Sequence, residues 1–208
     1  MLKIKKILAL SLCTILLGTI VTTLSGCGKK NEKENASSAV EKAYGLHMKE
    51  NKVNEITMLY DSEFVTDDEA EAICKYYSSL EKKDAQTFAS LMPDAYIDFI
   101  TKQNGQTATT MMKNIYNELE DTLGSEFKFD YIDITDSGTE ETESGIREVI
   151  EMMDSIYEEQ GEKKKFSETL KSSKYIRFDI SVKVGSSYMD KDNQEFYLFT
   201  TDNGIYII

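Results

Sequence analysis

The sequence predicts an α+β domain in which N-terminal helices pack on one face of a curved antiparallel sheet. Apolar residues recur at intervals of three and four between residues 66 and 123, which indicates helices. They alternate with polar residues at 127–134 and 176–184, which indicates strands. A tight-turn signal near the C-terminus then joins two short strands. Helices and hairpins are therefore segregated along the chain.

Four helices are predicted between residues 66 and 123. Thr66 is a suitable N-cap for the first, and three acidic residues follow it in the first turn, where the helix dipole favours them. Asp84 caps a short second helix, which ends at Pro93, a residue suited to the first turn of the third. Asn104-Gly105 ends the third helix, and the fourth runs from Thr107 to Leu123.

The first predicted strand changes its parity along its length. Phe127, Phe129 and Tyr131 alternate with charged residues, and Ile132 and Ile134 continue on the other parity. One β-bulge accounts for this change.

An amphipathic helix ending at Gly161 separates that strand from a C-terminal meander. The meander has three strands, at 176–184, 195–200 and 205–208. We expect a hairpin loop at Gly185–Asn193 and a tight turn at Asp202-Asn203-Gly204.

The first 26 residues have the organisation of a secretory signal peptide. Lys3, Lys5 and Lys6 form a basic start, and the apolar run Ile7–Val21 follows. As a helix this run would reach about 22 Å, short of a hydrocarbon core of about 30 Å. The tetrapeptide Leu24-Ser25-Gly26-Cys27 comes next.

This tetrapeptide resembles the lipobox of bacterial lipoproteins. The resemblance implies cleavage between Gly26 and Cys27 and a diacylglyceryl group on the Cys27 thiol, which anchors stably because it has two acyl chains. Gly28–Ser38 has no apolar side chain larger than alanine, so residues 27–38 form the lipidated cysteine and a flexible tether. We expect the protein on the outer face of the cytoplasmic membrane. An uncleaved membrane helix is the alternative.

Residues 39–66 give two competing signals. Val40, Ala43, Tyr44 and His47 fit a helical stripe, whereas Val53–Tyr60 fits an extended segment. We interpret 39–66 as an N-terminal extension to which we assign no secondary structure, followed by the α+β domain at 67–208.

Charge excludes some classes of partner. The signal peptide holds three of the 24 basic residues and none of the 37 acidic ones, so the processed chain has 21 basic and 37 acidic residues, a formal charge of −16. Such a charge argues against nucleic acid and against electrostatic binding to anionic lipid. We interpret the acidity as a solubility feature in preference to a surface for a cationic partner.

Cysteine and histidine usage excludes further chemistry. Once Cys13 is removed with the signal peptide and Cys27 is acylated, Cys74 is the remaining cysteine, so no disulfide is expected within the domain. Its helical spacing predicts a small buried hydrophobic residue. His47 is the only histidine, which excludes a multi-histidine metal site. We assign no catalytic residue, metal ligand or cofactor.

Three stretches carry a resemblance that covers about Asp67 to Ile208. They are Ile73-Cys74-Lys75-Tyr76-Tyr77-Ser78-Ser79-Leu80 before Lys83-Asp84, then Leu91-Met92-Pro93-Asp94, and finally Asp202-Asn203-Gly204-Ile205-Tyr206-Ile207. With the order of elements they resemble the nuclear transport factor 2-like superfamily, and more narrowly the Gram-positive lipoproteins that carry such a domain. The resemblance implies a cone of curved sheet closed by helices.

Cone-fold enzymes such as ketosteroid isomerase pair a carboxylate or histidine with tyrosines in the mouth of the cone. The pocket candidates here are Tyr77, Tyr96, Phe129 and Tyr131. We favour a non-enzymatic module that binds an envelope protein, a peptide or a small ligand at the mouth or the exposed sheet face. The alternatives are a cone-fold lyase or isomerase and, third, a solute-binding subunit of an importer. A homodimer through the sheet face also stays open.

Overall fold

The computed structural model describes residues 47–208. The signal peptide, the lipobox with Gly26 and Cys27, the tether and residues 39–46 lie outside the described residues. In chain order the elements are β1 (Met48–Val53), β2 (Ile56–Asp61), α1 (Asp67–Lys82), α2 (Ala85–Ser90), α3 (Asp94–Asn104), α4 (Ala108–Leu123), β3 (Phe127–Gly138), α5 (Ser144–Gln160), a 3₁₀ turn (Ser167–Thr169), β4 (Leu170–Val184), β5 (Ser187–Thr201) and β6 (Ile205–Ile207).

The predicted α+β class is confirmed, but the sheet is mixed and open. Its six strands lie in the order β1-β2-β3-β4-β5-β6, and β2 pairs with β3 in parallel while the other neighbours are antiparallel. The expectation of a purely antiparallel sheet was therefore wrong. The reason is that β1 and β2, which lie within the extension expected at 39–66, join this sheet through β3.

The β1–β2 hairpin turns on Asn54 and Glu55. Both have positive φ, 53° and 74°, as the tight turn of a two-residue hairpin requires. In β2, Ile56, Met58 and Tyr60 alternate toward the core. The alternation extends over only six residues, so the strand pattern in the sequence competed with the helical pattern just before it.

Strand β3 contains the predicted bulge. Phe129 pairs with Val182 and Tyr131 with Ser181, so Asp130 is the extra residue. The Phe129 N–H donates to the Glu81 carboxylate at 3.1 Å. Because of the bulge, Tyr131 points to the face of the sheet opposite Phe129.

The helix ends follow the predicted signals. Thr66 and Glu69 form a reciprocal capping box at the start of α1, and the Asp84 carboxylate accepts two N–H groups at the start of α2. Gly105 and Gly161 end α3 and α5 in the left-handed conformation, with φ of 73° and 77°.

The β4–β5 hairpin is longer than predicted. Residues 187–193 belong to β5 and pair with β4, so the expected loop at Gly185–Asn193 was wrong and shrinks to a short turn. Most of residues 187–193 are solvent-exposed, so the strand accommodates the charged residues Asp190, Lys191 and Asp192. The turn at Asp202-Asn203-Gly204 is confirmed by the Thr201 N–H bond to the Gly204 carbonyl at 2.8 Å.

Helices cover both faces of the sheet near β5, which corrects the expected one-sided packing. Thr200 Oγ1 lies 3.1 Å from the Glu69 carboxylate of α1. The neighbouring Phe199 points the other way and contacts Phe166, whose ring contacts Tyr157 of α5. The apolar stripe of α5 predicted that the helix is buried on one side, but it held no information about which face of the sheet the helix covers.

Within residues 47–208 no helix is long and apolar enough to cross a membrane.

Candidate functional site

The space between α1 and the sheet is packed with aromatic rings. The Tyr77 ring centre lies 4.8 Å from that of Phe129, 5.9 Å from that of Phe178 and 5.2 Å from that of Tyr76. Burial raises the pKa of Tyr77 well above its usual value, and Tyr76 adds to the rise. The predicted neighbourhood of Tyr77 and Phe129 therefore exists, but as core packing.

The other two pocket candidates lie elsewhere. Tyr96 is buried on α3, a helix that packs chiefly against α5. Tyr131 lies on the opposite face of the sheet, because the Asp130 bulge reverses its direction. The structure therefore brings Tyr77 and Phe129 together and places Tyr96 and Tyr131 apart from them, Tyr131 because of a one-residue bulge.

Cys74 is fully buried, and burial, with a smaller contribution from Glu71, raises the pKa of its thiol to about 12. At neutral pH the thiol is therefore protonated and behaves as a small apolar group. His47 is exposed, with its Nε2 atom 3.5 Å from the Glu63 carboxylate. Neither residue takes part in a reactive pair.

The surface that stands out is one we call the open face. It consists of Tyr131 and Asp133 of β3, Asp179 and Ser181 of β4, and Tyr188 of β5, which share the side of the sheet opposite α1. Helix α5 covers the other half of this side, where Tyr175 and Phe199 are buried. The residues of the open face are partly or fully exposed.

Two carboxylates meet at the centre of the open face. Asp133 lies directly opposite Asp179 on the neighbouring strand. Burial raises the pKa of Asp133, and the charge of Asp179 raises it further. Asp179 accepts the Asn193 N–H at 2.8 Å. Like charges directly opposite each other destabilise a sheet.

No basic residue among residues 47–208 forms an ion pair with either carboxylate. The nearest candidate along β4, Arg177, is already engaged: it lies 3.3 Å from Asp136 and donates to the Tyr175 hydroxyl at 3.1 Å. That hydroxyl in turn donates to Glu195. The negative charge at the centre of the open face is therefore not neutralised within the described part of the chain.

The open face ends at a free strand edge. Strand β6 pairs only with Leu198–Thr200, so the described residues leave the outer edge of β5 from Ser187 to Glu195 without a neighbouring strand. Tyr188 is 59% exposed and Met189 is 36% exposed, and these are the large hydrophobic residues that the described surface displays. The Lys183 Nζ lies 5.9 Å from the Tyr188 ring centre.

Sequence reasoning missed most of the open face. Tyr188 was assigned to a loop, and Tyr131 was predicted as a pocket candidate. Tyr188 and Asp190 are two residues apart, as on one face of a strand, and they pair with Lys183 and Ser181. This spacing could have indicated a strand, but the charged residues in 190–195 favoured a loop.

Within residues 47–208 no group of three or more histidine, cysteine or acidic residues is placed to hold a metal ion. In comparisons with known proteins, no protein family, no curated protein and no solved structure matches this chain.

Proposed function

We propose that this protein is a lipoprotein anchored through Cys27 on the outer face of the cytoplasmic membrane. Its domain, in this proposal, is a variant of the nuclear transport factor 2-like fold and binds another envelope protein through the open face. The observation that carries the binding proposal is Tyr188, which is 59% exposed at the rim of the sheet surface that α5 leaves uncovered. Exposed tyrosines are enriched in protein interfaces because they supply large contact area at a small entropic cost.

The chemistry of the open face indicates a partner with a basic group. A partner lysine or arginine at Asp133 and Asp179 would neutralise the repulsion between the two carboxylates. A second copy of this chain fits less well, because a two-fold contact of open faces would bring two such acid pairs together. This argues for a different protein as the partner.

The interaction role is favoured over a lyase or isomerase. An acid–base site in the cone would need a titratable group free to meet a substrate. Tyr77 is surrounded by aromatic rings instead. The acid and the tyrosine of the open face, Asp133 and Tyr131, lie on the face of a sheet.

Photo-crosslinking in the intact envelope tests the proposal. A photoreactive amino acid at position 188 should give a discrete adduct, whereas the same group at Glu158, exposed on α5, should give none. Asp133→Asn should reduce the adduct from position 188 about tenfold, because an ion pair at an interface contributes about 1–2 kcal/mol.

Asp133→Asn should also leave the domain equally or more stable, because it removes a like-charge contact. Lower binding without lower stability separates loss of the site from misfolding. Glu158→Gln is the matched control and should change neither quantity. Equal adduct patterns from positions 188 and 158 would contradict the proposal.

A further inference from the structure

A small polar cavity lies on the opposite side of the domain from the open face. It has a volume of about 230 Å³, opens to solvent and is bordered by α1, the start of α2 and the β1–β2 turn. The residues that line it all have polar or charged side chains: Asn54, Lys75, Ser78, Ser79, Lys82, Asp84 and Thr87. The α1 residues recur at intervals that place them on one face of the helix.

Ser78 contributes a hydroxyl group to the cavity. The residue is only 5% exposed, and among residues 47–208 its hydroxyl has no hydrogen-bond partner, although it lines the cavity. The neighbouring Ser79 hydroxyl donates to the Tyr76 carbonyl at 2.7 Å. No buried side-chain polar atom among residues 47–208 lacks a partner, so the Ser78 hydroxyl is open to solvent in the cavity, where it can donate to a bound acceptor.

Two ammonium groups flank Ser78. Lys75 and Lys82 are seven residues apart, which is about 10.5 Å along a helix, with Ser78 between them. Lys75 Nζ lies 2.8 Å from Glu71 in a half-exposed ion pair, and two of its three N–H donors are left for other acceptors. Within the described residues Lys82 forms no ion pair.

The acid in the lining, Asp84, is already used by its own helix. One oxygen accepts the Gln86 and Thr87 N–H groups at 3.1 Å each, and the other accepts the Thr87 hydroxyl at 2.7 Å. The free polar groups of the cavity are therefore mainly donors: two ammonium groups, the Ser78 hydroxyl and the Asn54 amide.

We propose that this cavity binds a phosphate group. A phosphate combines negative charge with several strong acceptors, which matches two lysines and uncharged donors in one depression. The volume falls below the range of about 300–1,000 Å³ typical of pockets for drug-sized ligands, so the ligand is a small phosphate or the phosphorylated end of a larger molecule.

Calorimetric titration of the full chain in neutral detergent with inorganic phosphate, at constant ionic strength, tests this site. Lys82→Gln and Ser78→Ala should each weaken binding at least about fivefold, since each removes a charge-assisted hydrogen bond. Lys113→Gln, an exposed lysine on α4, carries the same change of charge and should leave the affinity within about twofold.

Repeating the titration in micelles doped with an anionic phospholipid distinguishes two sources of the phosphate. A weaker apparent affinity for inorganic phosphate in the doped micelles, absent in Lys82→Gln, indicates a lipid headgroup. An unchanged affinity indicates a free phosphate. Absence of phosphate binding by the parent chain, or equal loss in Lys113→Gln and Lys82→Gln, would overturn the proposal.

Discussion

Glu69 connects more elements than any other charged side chain described above. Its carboxylate accepts the Thr66 N–H at 2.8 Å, the Lys174 ammonium at 2.7 Å and the Thr200 hydroxyl at 3.1 Å. Burial alone raises the pKa of Glu69, but the donors from Lys174, Thr66 and Thr200 outweigh it and hold the pKa below its usual value. One side chain therefore caps α1 and fixes it to β4 and β5.

Glu69→Gln should destabilise the domain by about 3 kcal/mol at neutral pH, because it leaves the Lys174 ammonium buried beside a neutral group. Urea unfolding followed by circular dichroism measures this. The exposed Glu71→Gln is the matched control and should cost less than about 1 kcal/mol.

The same residue gives a pH dependence with a definite sign. A lowered pKa in the folded state stabilises the fold above the unfolded pKa, and that contribution is lost as pH falls below about 4.5, the ordinary value for this carboxyl. The parent should therefore lose more stability than Glu69→Gln between about pH 7 and about pH 3.5. Parallel losses in both proteins would show that Glu69 is not the titrating group.

At the scale of elements, the position of α5 depends on the absence of one side chain. A Cβ atom at Gly145 would lie 3.1 Å from Cζ of Tyr197 and closer still to its hydroxyl. Glycine therefore lets the first turn of α5 approach β5.

Gly145→Ala tests this contact by the sign of its effect. Helix propensity alone favours alanine by about 1 kcal/mol, whereas overpacking costs about 1–3 kcal/mol. We expect net destabilisation by about 1 kcal/mol in urea unfolding. In a Tyr197→Phe background the same substitution should be neutral or stabilising, because the hydroxyl is gone. Stabilisation by Gly145→Ala in the parent would show that α5 does not depend on this approach.

For the whole molecule, the decisive question is attachment to the membrane. Cys27→Ala should prevent acylation, so the chain should be released from the membrane or accumulate as an uncleaved precursor. Cys74→Ala removes a buried thiol of the domain and should leave membrane retention unchanged. Fractionation with mass spectrometry of the N-terminus measures both outcomes. A Cys27→Ala chain that is cleaved normally and stays on the membrane would contradict the proposal.

Local signals predicted local structure well. Thr66, Asp84, Gly105 and Gly161 fixed helix ends, because a cap depends on hydrogen bonds within one turn of the chain. The bulge in β3 was also predictable, since one extra residue is what reverses the parity of a strand partway along its length.

The sequence by itself determined the five helices, the central parts of the strands after residue 126 and that the class is α+β. Only the tertiary structure decided that β2 pairs in parallel with β3, that α5 covers the face opposite α1, and that Tyr131 and Tyr188 share an exposed surface. The physical reason is that an apolar stripe requires burial without specifying a partner. Which strand or helix covers the stripe depends on the packing of the whole chain. In β3, the face that Tyr131 occupies depends on the extra residue Asp130.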